Sequence, residues 1–253
     1  MPWNPAQYAR FAGHRLRPAL DLLARVSVTE PREVVDLGCG SGNVTRVLRE
    51  QWPEAAIVGV DSSEEMLAKA QGLDAGIEWV REDIGFWRAA RPVDVLFSNA
   101  ALHWVDRHER LIQALMGQLA EGGVLAVQMP RQWDAPSHTV VQEMAAHPAW
   151  VEHLARVARP WSHSPDRYFE WLAPAARSID IWETTYLQVL EGEDAVAEWV
   201  KGTLLVPYLE ALPEALRGHF EAEYRRRMAI AYPRLADGRT LFAYRRLFIV
   251  AQR

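Results

Sequence analysis

Cysteine is almost absent: Cys39 stands alone among 253 residues, which excludes an internal disulfide framework and any thiolate-rich metal cluster. No stretch approaches the ~20 consecutive apolar residues that a membrane-spanning helix needs. The opening Met1-Pro2-Trp3-Asn4-Pro5 lacks the basic-then-apolar order of a secretory signal. A reducing, cytoplasmic setting is expected. Basic surface is scarce as well. Lys and Arg number 28 against 33 Asp and Glu, for a net charge of −5, and the longest basic run is Arg225-Arg226-Arg227. Such a chain does not build the broad positive face that a phosphate backbone requires. Neither nucleic acid nor a membrane is an expected partner, no metal-ligand pattern is present, and oligomeric state leaves no signal. What remains, 49% hydrophobic and 24% charged residues, suits a globular protein with one large core.

The first half alternates short apolar runs with helical periodicity, the pattern of a parallel sheet wrapped by helices. Phe11, Leu16, Ala19, Leu20 and Leu23 mark an opening helix over 10–26. Strands are predicted at 33–37, 56–61, 77–80, 93–98 and 124–129, and helices over 44–51, 64–70 and 106–119, the last stopped by Gly122-Gly123. After Pro130, tryptophan, histidine and proline crowd the chain, and the apolar spacing suits helices until a sixth strand at 179–190 and a seventh at 247–251. The predicted fold is α/β: a doubly wound, seven-stranded, mostly parallel sheet in a single domain. Its core covers about 30–130, 178–190 and 241–253, with helical insertions over about 131–177 and 193–240 forming a cap on the ligand edge.

The strongest chemical signal lies between the first strand and its helix: Asp36-Leu37-Gly38-Cys39-Gly40-Ser41-Gly42-Asn43. Alternate glycines let the backbone turn sharply and let a ligand approach where a Cβ would block it. The free N–H groups of the following helix suit a carboxylate or a phosphate. The run does not follow the Gly-x-Gly-x-x-Gly spacing that seats a dinucleotide pyrophosphate. Asp61 ends the second strand, where its carboxylate can accept from two ribose hydroxyls. Asp83 and Ile84 follow the third strand, where a carboxylate beside an apolar residue suits an adenine, and Asn99 and Ala100 would floor the pocket after the fourth. The competing reading makes Asp61 and Asp83 helix caps. The convergence of four strand ends on one crevice favours the ligand site.

These residues, with Val60-Asp61-Ser62-Ser63-Glu64-Glu65-Met66 and Glu82-Asp83-Ile84, resemble the first three binding motifs of the class I, Rossmann-like S-adenosylmethionine-dependent methyltransferases. Further matches run from end to end: Trp3-Asn4-Pro5 with Tyr8 and Phe11, Arg17-Pro18-Ala19, Ala126-Val127-Gln128-Met129-Pro130, Asp180 to Tyr186, and Arg246 to Ala251. They are similar to the branch of that family that methylates a carboxylate of trans-aconitate. The resemblance implies S-adenosylmethionine as cofactor, held by Asp36, Gly38, Gly40, Gly42, Asn43, Asp61, Ser62, Met66, Asp83, Ile84, Asn99, Ala100 and Trp104. It implies a small carboxylic acid as substrate. Two alternatives stay open: another small acid or apolar acceptor, and a catalytically silent module that keeps the cofactor fold.

A carboxylate is already ionised at neutral pH, so methyl transfer to it needs no general base, and His103 is assigned none. The demand is for positioning and, with a tricarboxylate, for several hydrogen-bond donors. Tyr8, Arg17, Gln128, Trp133, Arg245 and Arg246 are the substrate-positioning candidates, with His14, Arg167 and Tyr208 behind them. The branch pattern expects Gly-Leu-Arg-Pro where this chain has Leu204-Leu205-Val206-Pro207, and Phe-Pro-Arg-Leu where it has Tyr244-Arg245-Arg246-Leu247. An arginine is thus lost at Val206 and one gained at Arg245. Trp52, Trp79, Trp87, Trp182 and Trp199 read as core, which leaves Trp104 as the aromatic candidate for a sulfonium.

Overall fold

Unbroken apolar runs become the central strands of the sheet, because parallel strands are buried on both faces. In the computed structural model, which describes residues 16–72, 76–158 and 160–253, β1 (Glu33–Leu37) pairs in parallel with β2 (Ala56–Asp61) and β4 (Val93–Asn99). Outside β2 lies β3 (Ile77–Arg81), and beyond β4 comes β5 (Leu119–Pro130). Antiparallel to β5 runs β7 (Thr240–Gln252), and β6 (Ser178–Leu190) closes the order β3-β2-β1-β4-β5-β7-β6. The chain therefore reverses direction across the sheet between β1 and β4, the place where open α/β sheets leave a crevice at their carboxyl ends.

Helices α1 (Arg17–Leu23), α2 (Asn43–Gln51), α3 (Glu64–Gln71) and α4 (His108–Gln118) follow the predicted pattern, with a short 3₁₀ turn at Leu102–Trp104. Boundaries differ at α1, which ends at Leu23 rather than 26, and after α4. The helix ends at Gln118, and Leu119 already begins β5, so Gly122 and Gly123 lie inside a strand and stop nothing. The β4–β5 register shifts between Val93 and Val95, which pair with Leu119 and Val124. The glycines occupy this bulge. Gly122 has φ +76°, and a Cβ on Gly123 would come within 2.8 Å of the Val93 carbonyl oxygen. At the other end, β7 starts at Thr240, seven residues before the predicted run, because 240–243 alternates buried and exposed positions.

The chain divides into two compact units. The first takes the described residues up to Pro130 together with Ser162–Thr184 and Arg246–Arg253, and the second takes Arg131–Trp161 and Thr185–Arg245. In the first, Leu37, Leu96, Leu115, Val127 and Ile249 form a sealed core. Residues 162–177, expected in the cap, fall in this unit. There α7 (Pro165–Leu172), the third helix after β5, sends Tyr168 and Leu172 into the same core as Leu111 and Leu115 of α4. The second unit is mainly helical: α5 (Pro136–Ala146), α6 (Val151–Leu154), α8 (Ala195–Lys201), α9 (Val206–Ala211) and α10 (Glu214–Ala231). Its own core holds Val141, Met144, Trp150, Tyr208, Phe220, Tyr224 and Phe242. Among the described residues no helix is long and apolar enough to cross a membrane, and no cluster of potential metal ligands occurs.

Candidate functional site

The glycine loop owes its shape to left-handed backbone and to two tight contacts. Gly38 has φ +78°, and a Cβ there would lie 2.2 Å from the Cβ of Ala101. Gly42, at φ +79°, precedes the first turn of α2 and would place a Cβ 2.6 Å from the Trp79 ring. Any side chain at either position must displace a neighbour as well as strain the backbone. Over Gly40, by contrast, none of the described residues lies within 4 Å of a would-be Cβ. Open space at the middle of the loop, above a helix N-terminus, is a cradle that admits a ligand against bare backbone.

The loop is tied to the second strand. The Gly38 and Cys39 N–H groups donate to the Val60 carbonyl at 2.8 and 3.0 Å. Asp61 accepts from the Gly40 N–H through Oδ2 and from the Ser63 N–H through Oδ1, both at 2.8 Å. Each carboxylate oxygen has a second lone pair, so the half-buried Asp61 can brace the loop, start α3 and still accept from a ligand hydroxyl. Ser63 itself caps α3, its Oγ accepting from the Met66 N–H at 3.3 Å. Asp83 is exposed, with Oδ1 accepting from the Gly85 N–H at 2.7 Å, and Ile84 beside it is buried. Asn43 donates to the Ser41 hydroxyl at 3.2 Å. Ser62, Met66 and Trp104 are exposed at the rim, and Phe86, close behind Asp83, is exposed too.

Asp36 differs from its neighbours. It is sealed from solvent, accepts from the Thr45 hydroxyl at 2.7 Å, and has its carboxyl pushed up to about 7, chiefly by burial and further by the charge of Asp61. Burial also pushes the Cys39 thiol up, which leaves it protonated and unreactive. Sequence reasoning missed Thr45, whose signal was a hydroxyl in the first turn of the helix that follows Asp36.

Asn99 of β4 and Gln128 of β5 are register partners, and the Ala100 N–H donates to the Gln128 carbonyl at 2.8 Å. The Gln128 side chain is fully buried, and among the described residues neither its amide oxygen nor its amide nitrogen has a hydrogen-bond partner. The buried Oδ1 of Asn99 is in the same position. On β7, Phe248 stands opposite Gln128 and Arg246 opposite Pro130. The two-residue repeat of a strand therefore puts Asn99, Gln128 and the buried Arg246 on one face of the sheet, near its carboxyl edge.

Arg17 is exposed at the start of α1, 3.8 Å from Asp21. Arg245 belongs to the second unit, where its guanidinium bonds the Arg131 carbonyl at 2.6 Å and the Asp134 carboxylate at 2.5 Å. Trp133, also in that unit, is buried, stacked on Trp161 at 5.7 Å and edge-on to His138 at 5.2 Å. Tyr8 and His14 lie outside the described residues. His103 is buried beside Trp104, their rings 5.2 Å apart.

Known proteins resemble this chain in sequence and in fold. Residues 8–185 match a family model described as a methyltransferase domain. A trans-aconitate 2-methyltransferase of Acidovorax sp. (strain JS42) is 46% identical over 253 residues, covering 99% of this chain and 98% of that one. Its counterpart in Azoarcus sp. (strain BH72) is also 46% identical and covers 99% of both. Among solved structures, an S-adenosylmethionine dependent methyltransferase from Mesorhizobium loti aligns with a TM-score of 0.54 at 20% identity, over 96% of this chain and 100% of that one. The phosphoethanolamine N-methyltransferase 2 of Haemonchus contortus, in complex with S-adenosyl-L-methionine, aligns with a TM-score of 0.55 at 14% identity, over 96% of this chain and 55% of that one.

Proposed function

This chain belongs to the S-adenosylmethionine-dependent methyltransferase family, and we propose that it esterifies one carboxylate of a small polycarboxylic acid, trans-aconitate, to a monomethyl ester. The relatives that share 46% of its residues along the whole chain carry that substrate in their names. The observation that carries the reading is Gln128: a fully buried amide with neither polar atom hydrogen-bonded among the described residues. Buried polar groups are nearly always paired. An amide left vacant on the same face as Asn99 and Arg246 supports a small polar guest.

When bound, S-adenosylmethionine supplies a sulfonium methyl whose carbon–sulfur electron pair returns to sulfur as a carboxylate oxygen takes the carbon. The residues of the chain bind and orient. The open backbone at Gly40, between Gly38 and Gly42 and followed by Asn43, receives the methionyl end beside Asp36. Asp61 with Ser62 takes the ribose hydroxyls, Met66, Asp83 and Ile84 flank the adenine, and Asn99, Ala100 and Trp104 close the side toward the acceptor. Gln128 and Arg246 hold the acid, with Tyr8 and Arg17 as further contacts. Arg245 is the weaker candidate because the strand repeat turns it away from the face that carries Gln128. No side chain has to remove a proton, since the nucleophile is ionised. A lone Cys39 supports a reducing, cytoplasmic setting.

The test is a methyl-transfer assay across small mono-, di- and tricarboxylates, with the ester position determined for each product. Turnover of trans-aconitate above the others is expected. A preference for a monocarboxylate would overturn the substrate while leaving the family intact.

A further inference from the structure

Among the described residues only two that are not glycine have positive φ: Ala100 at +54° and Arg107 at +56°. Each costs on the order of 1 kcal/mol. They bracket the turn that links β4 to α4 and carries His103 and Trp104. The turn presses on the cofactor loop, because Ala101 occupies the space a Cβ on Gly38 would need. Something has to hold so strained a segment in place.

Immediately after Arg107, the buried His108 reaches back across the turn. Its Nε2 lies 2.9 Å from the Leu102 carbonyl oxygen, and its Nδ1 lies 2.6 Å from the Tyr168 hydroxyl. A carbonyl only accepts, so Nε2 carries the proton and Nδ1 accepts from Tyr168. The Tyr168 oxygen in turn accepts from the His163 N–H at 3.2 Å. The Tyr168 hydroxyl also lies 3.8 Å from the Met129 sulfur, and a neutral His108 lets Nδ1 take the hydroxyl proton instead. A second proton on Nδ1 would turn the Tyr168 hydroxyl proton away, toward the weaker acceptor Met129.

We infer that His108, oriented by Tyr168, is a positioning residue for the cofactor site: its neutral imidazole clamps the Leu102 carbonyl and holds the strained Ala100–Arg107 turn against Gly38. The inference rests on the reading that this loop and turn face S-adenosylmethionine. The surroundings favour the neutral ring. Burial and the neighbouring His163, whose ring centroid is 5.5 Å away, lower the tendency of His108 to take a proton. The Leu102 and Val105 carbonyls and Asp106 oppose them. Arg167 acts on His163 in the same lowering sense.

The experiment follows the affinity for S-adenosylhomocysteine by calorimetry from about pH 7.5 to about pH 5, together with the nitrogen-15 spectrum of the histidines in the ligand-free protein. Nε2–H with a bare Nδ1 is expected for His108 at neutral pH, and parental affinity should weaken severalfold as that ring titrates. His108→Phe, which loses both contacts, should weaken binding about tenfold at neutral pH. His108→Gln, whose amide can donate to Leu102 and accept from Tyr168, should recover most of that loss and keep only the acid limb that Asp36 contributes. Tyr168→Phe should move the acid midpoint upward, because the neutral Nδ1 loses its donor. An Nδ1–H tautomer, parental affinity in His108→Phe, or an unchanged acid limb in His108→Gln would overturn the inference. Failure of the parental protein to bind S-adenosylhomocysteine at all would sink the cofactor reading itself, and the spectrum still judges the clamp should a variant not fold.

Discussion

The Thr45 hydroxyl donates a 2.7 Å hydrogen bond to a carboxylate oxygen of Asp36, and both side chains are sealed inside the first unit. One hydroxyl cannot replace the water a carboxylate loses, so burial raises Asp36 from 3.8 in the unfolded chain to about 7. The folded protein thus binds more protons than the unfolded chain between those two values, and stability must fall as pH rises through that window.

For the ligand-free protein this predicts a melting temperature that declines from about pH 5 to about pH 8, other titrations apart. Asp36→Asn keeps an acceptor for Thr45 and removes the ionisation. It should flatten the decline and gain on the order of a few kcal/mol over the parent near pH 8. A variant whose melting curve tracks the parent at every pH would show that Asp36 does not carry this proton.

Asp61 is predicted to matter for ligand more than for fold. Its two oxygens accept from Gly40 and Ser63 and can each accept once more. Asp61→Ala leaves two backbone N–H groups and two ribose hydroxyls without an acceptor, a loss of at least about 1.4 kcal/mol, or about tenfold in S-adenosylhomocysteine affinity by calorimetry. Affinity within twofold of the parent would reduce Asp61 to a cap for α3.

Gly38→Ala tests the approach of the turn to the loop. The new Cβ meets that of Ala101 at 2.2 Å, on a backbone at φ +78°. A stability loss of about 2 kcal/mol or more is expected from overpacking plus strain. Adding Ala101→Gly removes the clash but not the strain, so the double variant should recover only part of the loss in a denaturant titration. Full recovery would mean that the left-handed backbone costs nothing there.

What was legible in the sequence was what is local. Glycine at alternate positions after a buried strand announces positive φ and a bare-backbone cradle, and an acidic residue at a strand end needs no distant partner to be noticed. What escaped depends on partners far along the chain. Gly122 and Gly123 read as a helix stop, yet whether a glycine pair ends a helix or fills a bulge is decided by the register of β4. Residues 165–172 were read as cap because an amphipathic helix does not say which core receives it. The His108–Tyr168 pair joins residues 60 apart, and its chemistry exists only once both are buried together. Arg245 and Arg246 look alike in sequence. One strand step turns one toward Asp134 and the other to the face of Gln128.

His103 supplies a negative prediction. A carboxylate acceptor is ionised well below neutrality, so the maximal rate with trans-aconitate should show no base titrating near pH 7, and His103→Gln should keep that rate within severalfold. Loss of turnover with both ligands still bound would point to a hydroxyl or amine acceptor.

The two adjacent arginines give the sharpest test of substrate recognition. An acid with spectator carboxylates must have them neutralised where it is enclosed, because a buried unpaired charge costs several kcal/mol. Arg246 is buried on the sheet face that carries Asn99 and the vacant Gln128 amide, whereas the Arg245 guanidinium is held by Asp134 and the Arg131 carbonyl. Arg246→Ala should therefore raise the Michaelis constant for trans-aconitate at least about tenfold, equivalent to about 1.4 kcal/mol. Gln128→Leu, close in size and without polar atoms, should do the same while S-adenosylhomocysteine binding persists. Arg245→Ala should stay within about threefold of the parent and instead free Asp134, whose carboxyl Arg245 now holds below its ordinary range. The opposite ranking, with Arg245→Ala costly and Arg246→Ala silent, would move the acid from the face of Gln128 to the side of Asp134.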